Sequence, residues 1–238
     1  MSRVLQNLRR FSTVPSYWPG NYASYMLQHI EAGARAAAAR PALIDGVTGR
    51  VTSYGDLPYR FGAAARGFKA LGIRRGTVVG LHLANSPEFI VAFNALAALG
   101  AVVTTSNPAY SPTELTHQLK DSGANFVLTM EPLLPVVTAA ASGAGLPMSR
   151  VLVLGAPATA FLYEDVAAAG ALRALPEVEA VDGPRTLLAL PYSSGTTGLP
   201  KGVELSHGNL TANLEQSYPG LEMSPGDVAV SVLPLYHI

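Results

Sequence analysis

The residue types that could do chemistry gather between Pro191 and Val203, in the order Pro-Tyr-Ser-Ser-Gly-Thr-Thr-Gly-Leu-Pro-Lys-Gly-Val. Ser193, Ser194, Gly195, Thr196 and Thr197 are small and adjacent, Gly198 follows, and a single cation, Lys201, stands three positions on. Backbone N–H groups unobstructed by bulky side chains, several hydroxyl donors and one mobile ammonium are the parts of a polyphosphate cradle. The spacing is not that of the Walker loop, in which glycine precedes the lysine and a magnesium-binding hydroxyl follows it. Here Pro200 precedes Lys201 and Gly202 follows, which argues against a Walker-type nucleotidase or kinase while keeping phosphate as the ligand. A flexible Ser/Gly/Thr linker is the alternative, but a linker needs neither the lysine nor flanking strands.

A second candidate is His237, at the end of Leu233-Pro234-Leu235-Tyr236-His237. The apolar run Val228 to Val232 predicts a strand that would deliver His237 to the carboxyl end of a sheet near the phosphate loop. From the residues alone, a lone histidine beside a strand is more often a structural hydrogen-bonder. Asn107-Pro108-Ala109-Tyr110 reads as a plain turn with a packing tyrosine. Glu88 and Glu114 fall in first helical turns, where the helix dipole accounts for them.

Composition excludes several classes. With no cysteine among 238 residues, disulfides, thiolate metal sites and a cysteine nucleophile are ruled out, and the five histidines show no ligand spacing, so no protein metal site is expected. Sixteen basic and sixteen acidic residues balance, so nothing recommends nucleic acid. Charges and prolines interrupt every hydrophobic run before the ~18 residues a membrane span needs. At 49% hydrophobic and 13% charged, the chain has ample material for a core.

The elements that must position these residues follow from local signals. An amphipathic helix is predicted over Tyr22 to Arg40, then a hairpin of Ala42–Ile44 and Arg50–Thr52 about the turn residues 45–49. Ser53 or Asp56 caps a helix running to Leu71, and Pro58, tolerated only in a first turn, favours Asp56. Strands are predicted at Thr77–Leu83, Ala101–Thr105, Asn125–Thr129, Arg150–Leu154 and Thr186–Leu190. Between them, Ser86-Pro87 opens a helix that Gly100 ends, the capping box Ser111-Pro112-Thr113-Glu114 opens one that Gly123 closes, and Pro132 to about Ala141 forms another. Strands alternating with helices imply an α/β fold, a parallel sheet flanked by helices. The phosphate loop lies between strands, with Ser206 starting the next helix.

The twelve residues Tyr192-Ser193-Ser194-Gly195-Thr196-Thr197-Gly198-Leu199-Pro200-Lys201-Gly202-Val203 resemble the AMP-binding signature of the adenylate-forming superfamily, in the form used by acyl-CoA and 4-coumarate–CoA ligases. Pro41–Gly46, Asn85–Phe89, Asn107–Tyr110 and Leu233–Ile238 resemble family landmarks in family order, so the resemblance extends from about Tyr22 to the last residue. It implies two-step ligase chemistry: a carboxylate attacks the α-phosphate of ATP, giving an acyl-adenylate and pyrophosphate, and the thiol of coenzyme A then displaces AMP. It assigns Ser193, Ser194, Gly195, Thr196, Thr197, Gly198 and Lys201 to the β- and γ-phosphates, with Mg²⁺ arriving on the nucleotide, and sets His237 beside the acyl group. The family's adenine and ribose motifs, hinge and small carboxy-terminal domain have no counterpart here. Residues 22–238 are therefore expected to be the amino-terminal part of an AMP-binding domain, inactive alone. A non-catalytic nucleotide-binding or interaction module, and a peptide-synthetase-type adenylation domain, are the other readings. The substrate expected is a hydrophobic carboxylic acid.

Residues 1–21 form a separate lead. Arg3, Arg9 and Arg10 come with no acid before Glu31, Val4, Leu5, Leu8 and Phe11 share one helical side, and Arg9-Arg10-Phe11-Ser12 resembles a matrix-processing site. That is the composition of a mitochondrial presequence cut after Phe11, or equally of an ordinary amino-terminal lead on a cytoplasmic or peroxisomal protein.

Overall fold

Nearly every helix boundary is set by a cap or a breaker within four residues of it. A computed structural model describes residues 18–162, 175–193, 200–217, 221, 224 and 226–237; residues 1–17 of the 1–21 lead, with the expected cleavage point after Phe11, and Ile238 lie outside the described residues. Helix α1 (Tyr22–Ala37) starts where the Asn21 side chain accepts from Ala23 N. Strands β1 (Pro41–Ile44) and β2 (Val51–Ser53) form the antiparallel hairpin, its turn closed by Asp45 accepting from Val47 and Thr48 N–H. In α2 (Leu57–Ala70) Asp56 holds the cap position without a capping bond of its own; Ser53 Oγ instead accepts from Asp56 N. Ser86 caps α3 (Pro87–Ala98), and Ser111 with Glu114 makes the full capping box of α4 (Pro112–Asp121). Gly100 and Gly123, at φ 65° and 64°, take the left-handed conformation that follows each helix.

Strands β3 (Val78–His82), β4 (Val102–Thr105), β5 (Phe126–Thr129), β6 (Val151–Val153) and β7 (Leu187–Ala189) are parallel, and β10 (Leu205–Ser206) adds antiparallel to β7, in the spatial order β10-β7-β4-β3-β5-β6. Between β7 and β10 lie β8 (Tyr192–Ser193) and β9 (Lys201–Gly202), and α5 (Leu134–Ala144) precedes β6 while α6 (His207–Ser217) follows β10. The two faces of the sheet carry two cores, as alternation requires. Phe126 and Leu128 join Val79, Leu81, Val103 and the apolar sides of α1, α2 and α3; Val127 faces the other way, onto Leu115, Leu119, Val137 and Ala140 of α4 and α5. The sheet is thus sandwiched between helices, and the expected α/β class holds.

Among the described residues packing already involves Trp18, which meets Tyr25 edge-on at 5.7 Å, and buried Asn21 donates to Ala97 O and Glu179 O. Two expectations need correction. Val228 to Val232 is not a strand, because among the described residues no neighbour supplies it a ladder; Val228, Val230 and Val232 are 76%, 81% and 77% exposed. Glu88 is also more than a dipole partner. It is buried and ion-paired with Arg50 and Arg60, tying the β1–β2 hairpin and α2 to the start of α3.

Candidate active site at the carboxyl edge of the sheet

The chain leaves β4 toward β5 on one side and leaves β7 toward β10 on the other, so the carboxyl ends of β4 and β7 flank a switch point, where ligands of open α/β sheets bind. Both candidate segments are anchored there. Leu190 N donates to Val103 O at 2.8 Å, and Thr104 Oγ1 donates to Leu190 O at 2.8 Å, fixing the exit from β7. Tyr192 then pairs with Gly202 and Ser193 with Lys201, and Val203 N donates to Pro191 O. The phosphate segment is therefore closed at its root twice, by this hairpin and by the return pairing of β10 on β7.

Ser193 and Lys201 face each other across the hairpin mouth, both exposed. Among the described residues no carboxylate forms an ion pair with Lys201, so its ammonium is available to an anion. Ser194, Gly195, Thr196, Thr197 and Gly198 lie outside the described residues. Tyr192 has its phenol raised well above the ordinary range, first by burial and then by its bond to, and the charge of, Asp121, so it stays protonated and acts as a donor.

The segment ending in His237 reaches the same edge by another route. Asn85, just past β3, donates from Nδ2 to Leu233 O at 2.8 Å and Ser231 O at 3.2 Å, and its Oδ1 accepts from Leu235 N at 2.8 Å. Thr105, the last residue of β4, donates to Tyr236 O at 2.7 Å. Leu235 and Tyr236 pack on the main core, while His237 is exposed, its N–H bonded to Pro234 O and its ring 6.3 Å from that of Tyr236. The Asn107–Tyr110 segment is a turn, with Ala109 N donating to Asn107 Oδ1, as expected. Sequence reasoning missed what Asn85, Thr105 and Gln118 do. Gln118 on α4 donates to Thr104 Oγ1 and Thr105 O, so one buried amide braces the strand end that holds both segments. Among the described residues no group of three His, Asp or Glu is placed to hold a metal ion, and no helix is long and apolar enough to cross a membrane.

Residues 30–238 match the AMP-binding enzyme family. The chain belongs to that family. It is 43% identical over 203 residues to 4-coumarate–CoA ligase 5 of Oryza sativa subsp. japonica, covering 84% of this chain and 36% of that one. Its fold is similar to a long-chain fatty-acid–CoA ligase from Archaeoglobus fulgidus (TM-score 0.79, 27% identity, 93% of this chain and 44% of that one). It is also similar to the anthranilate–CoA ligase AuaEII solved in complex with anthranoyl-AMP (TM-score 0.64, 27% identity, 86% and 37%). The chain thus spans about a third of the length of the curated relative it matches.

Proposed function

We propose that this chain is the amino-terminal part of an ATP-dependent ligase that joins a hydrophobic monocarboxylic acid, aromatic ahead of aliphatic, to coenzyme A. The observation that carries the reading is the exposed Ser193–Lys201 mouth and the His237 segment, anchored at one sheet edge in a chain whose relatives are acid–CoA ligases. ATP, when bound, supplies an electrophilic phosphorus and a pyrophosphate leaving group, and Mg²⁺ comes with it. The residues here do the charge and placement work. Lys201 neutralises the β- and γ-phosphates, Ser193, Ser194, Thr196, Thr197 and the loop amides donate to them, and His237 lies against the acid being activated. Bringing one anion to another is a problem of charge stabilisation and positioning, which suits a cradle of this kind. The aromatic preference rests on the identity with the 4-coumarate enzyme and on the match to Leu233–Ile238.

The isolated chain is expected to form no thioester, since its apolar segment 228–233 lies bare and it covers about a third of a relative. Incubating the 238-residue chain, and separately the polypeptide extended past Ile238, with ATP, Mg²⁺, coenzyme A and a panel of acids tests this. Product is expected only from the extended polypeptide, with aryl-propenoic acids turned over best. Product from the chain alone overturns the fragment reading, and activation of acetate-sized acids only overturns the substrate class.

A further inference from the structure

Helix α4 touches the phosphate hairpin at both of its roots. His117 Nε2 lies 3.0 Å from Pro200 O, the residue before Lys201; a carbonyl oxygen only accepts, so that ring nitrogen carries the proton. Four residues on, Asp121 accepts from the Tyr192 hydroxyl at 2.5 Å. The i, i+4 spacing sets both side chains on one helix face, facing the two hairpin strands. Between them the Tyr192 ring stands edge-on to His117, with centroids 6.4 Å apart at 89°, and lies on Gly202 so closely that a Cβ there would come within 3.2 Å of it. The helix itself is held to the sheet by Gln118 and by its packing on α5.

We infer that His117 and Asp121 are positioning residues: they latch the two strands of the hairpin to a helix rigidly seated on the sheet, and so fix where Lys201 stands. Two two-residue strands are too short to hold a register alone. The latch replaces the missing ladder with one bond on each strand. Gly202 completes it, since a side chain there would press on the Tyr192 ring, which would have to give by a few tenths of an ångström.

The functional half of this inference rests on the ligase reading, so its test has two arms. In hydrogen exchange on the 238-residue chain, His117→Phe and Tyr192→Phe should raise exchange of the peptides covering 190–193 and 200–203 by roughly tenfold, with β3, β4 and β5 unchanged. His117→Gln, which keeps an N–H donor, should restore most of the protection. Exchange unchanged at both roots, or raised equally through the sheet, overturns the latch whatever the enzyme does. In the extended polypeptide, His117→Phe should raise KM for ATP in pyrophosphate exchange about tenfold, with little change in KM for the acid. In a Lys201→Ala background the same change should cost almost nothing more, because both act through one group. Fully additive losses overturn the route through Lys201. A wild type that exchanges with no acid overturns the ligase reading and leaves the first arm to decide the latch.

Discussion

Two segments share the carboxyl edge of the sheet and are supported in opposite ways. The phosphate hairpin is enclosed by its own chain: β10 returns beside β7, and α4 braces both roots. The segment 226–237 touches the same edge only through Asn85, Thr105 and the packing of Leu235 and Tyr236, while Val228, Val230, Val232 and Leu233 are each more than three-quarters exposed. Fully burying one such side chain is worth about 1.5–3 kcal/mol, and among the described residues none of the four gains it. One part of the proposed site is rooted on several elements, and the other is held at a few points.

The comparison can be broken most sharply at Lys201. In the extended polypeptide, Lys201→Ala should lower acid-dependent ATP–pyrophosphate exchange by roughly tenfold to a thousandfold, the scale of one preorganised charge-stabilising donor; unchanged exchange in a folded variant removes Lys201 from the cradle. His237→Ala should act on the other segment, cutting adenylation of the preferred acid about tenfold while ATP binding changes far less. Equal loss of both would show that His237 serves the fold rather than the acid. Smaller again is Asn85→Ala, which strips three hydrogen bonds from 231–235. Limited proteolysis within 224–237 should quicken a few-fold, on the order of the ~1 kcal/mol a net hydrogen bond supplies, with cleavage near 190–203 unaltered. Quickening at both places would erase the contrast.

How much of this was legible in the sequence depends on range. Ser86 with Phe89, Ser111 with Glu114, and Gly100 and Gly123 after their helices act over three or four residues, and each boundary was readable. The parallel alternation followed from them. Glu88 was read as a dipole partner because its cations are 28 and 38 residues away. Strands β8 and β9 are two residues each, too short to show a period, and the reach of His117 to Pro200 spans 83 residues. Val228 to Val232 failed for the opposite reason. Its alternation satisfied the strand pattern, but a pattern states what a segment would do beside a neighbour, and the described chain offers none. The motif named the residues proposed for the cradle; the helix that touches the hairpin roots carried no signature.

The gentlest test separates losing the site from losing the fold. Burial pushes His82 and His207 down to about 4 from an ordinary value near 6.5. Both stay neutral in the native state, whereas in the unfolded chain they take up protons as pH falls below 6.5. Stability is therefore full above that value and declines toward pH 4, by at most ~3 kcal/mol for each histidine. The thermal midpoint should fall by several degrees between pH 7 and 4.5, at constant ionic strength. A flat midpoint over that window would mean that neither ring is as dry as the structure makes it.

The joint between the two ends of the chain sets an order in time. Asn21 finds its acceptor on Glu179 158 residues later, and the N–H of Tyr22 donates to His207, 185 residues later. At the ~5–20 residues per second of synthesis, the first helix emerges roughly 10–40 s before the ring that receives its leading amide. Until then α1 is held through earlier partners alone, among them Ala97 O, which accepts from Asn21. The seal at the head of this helix is among the last to close.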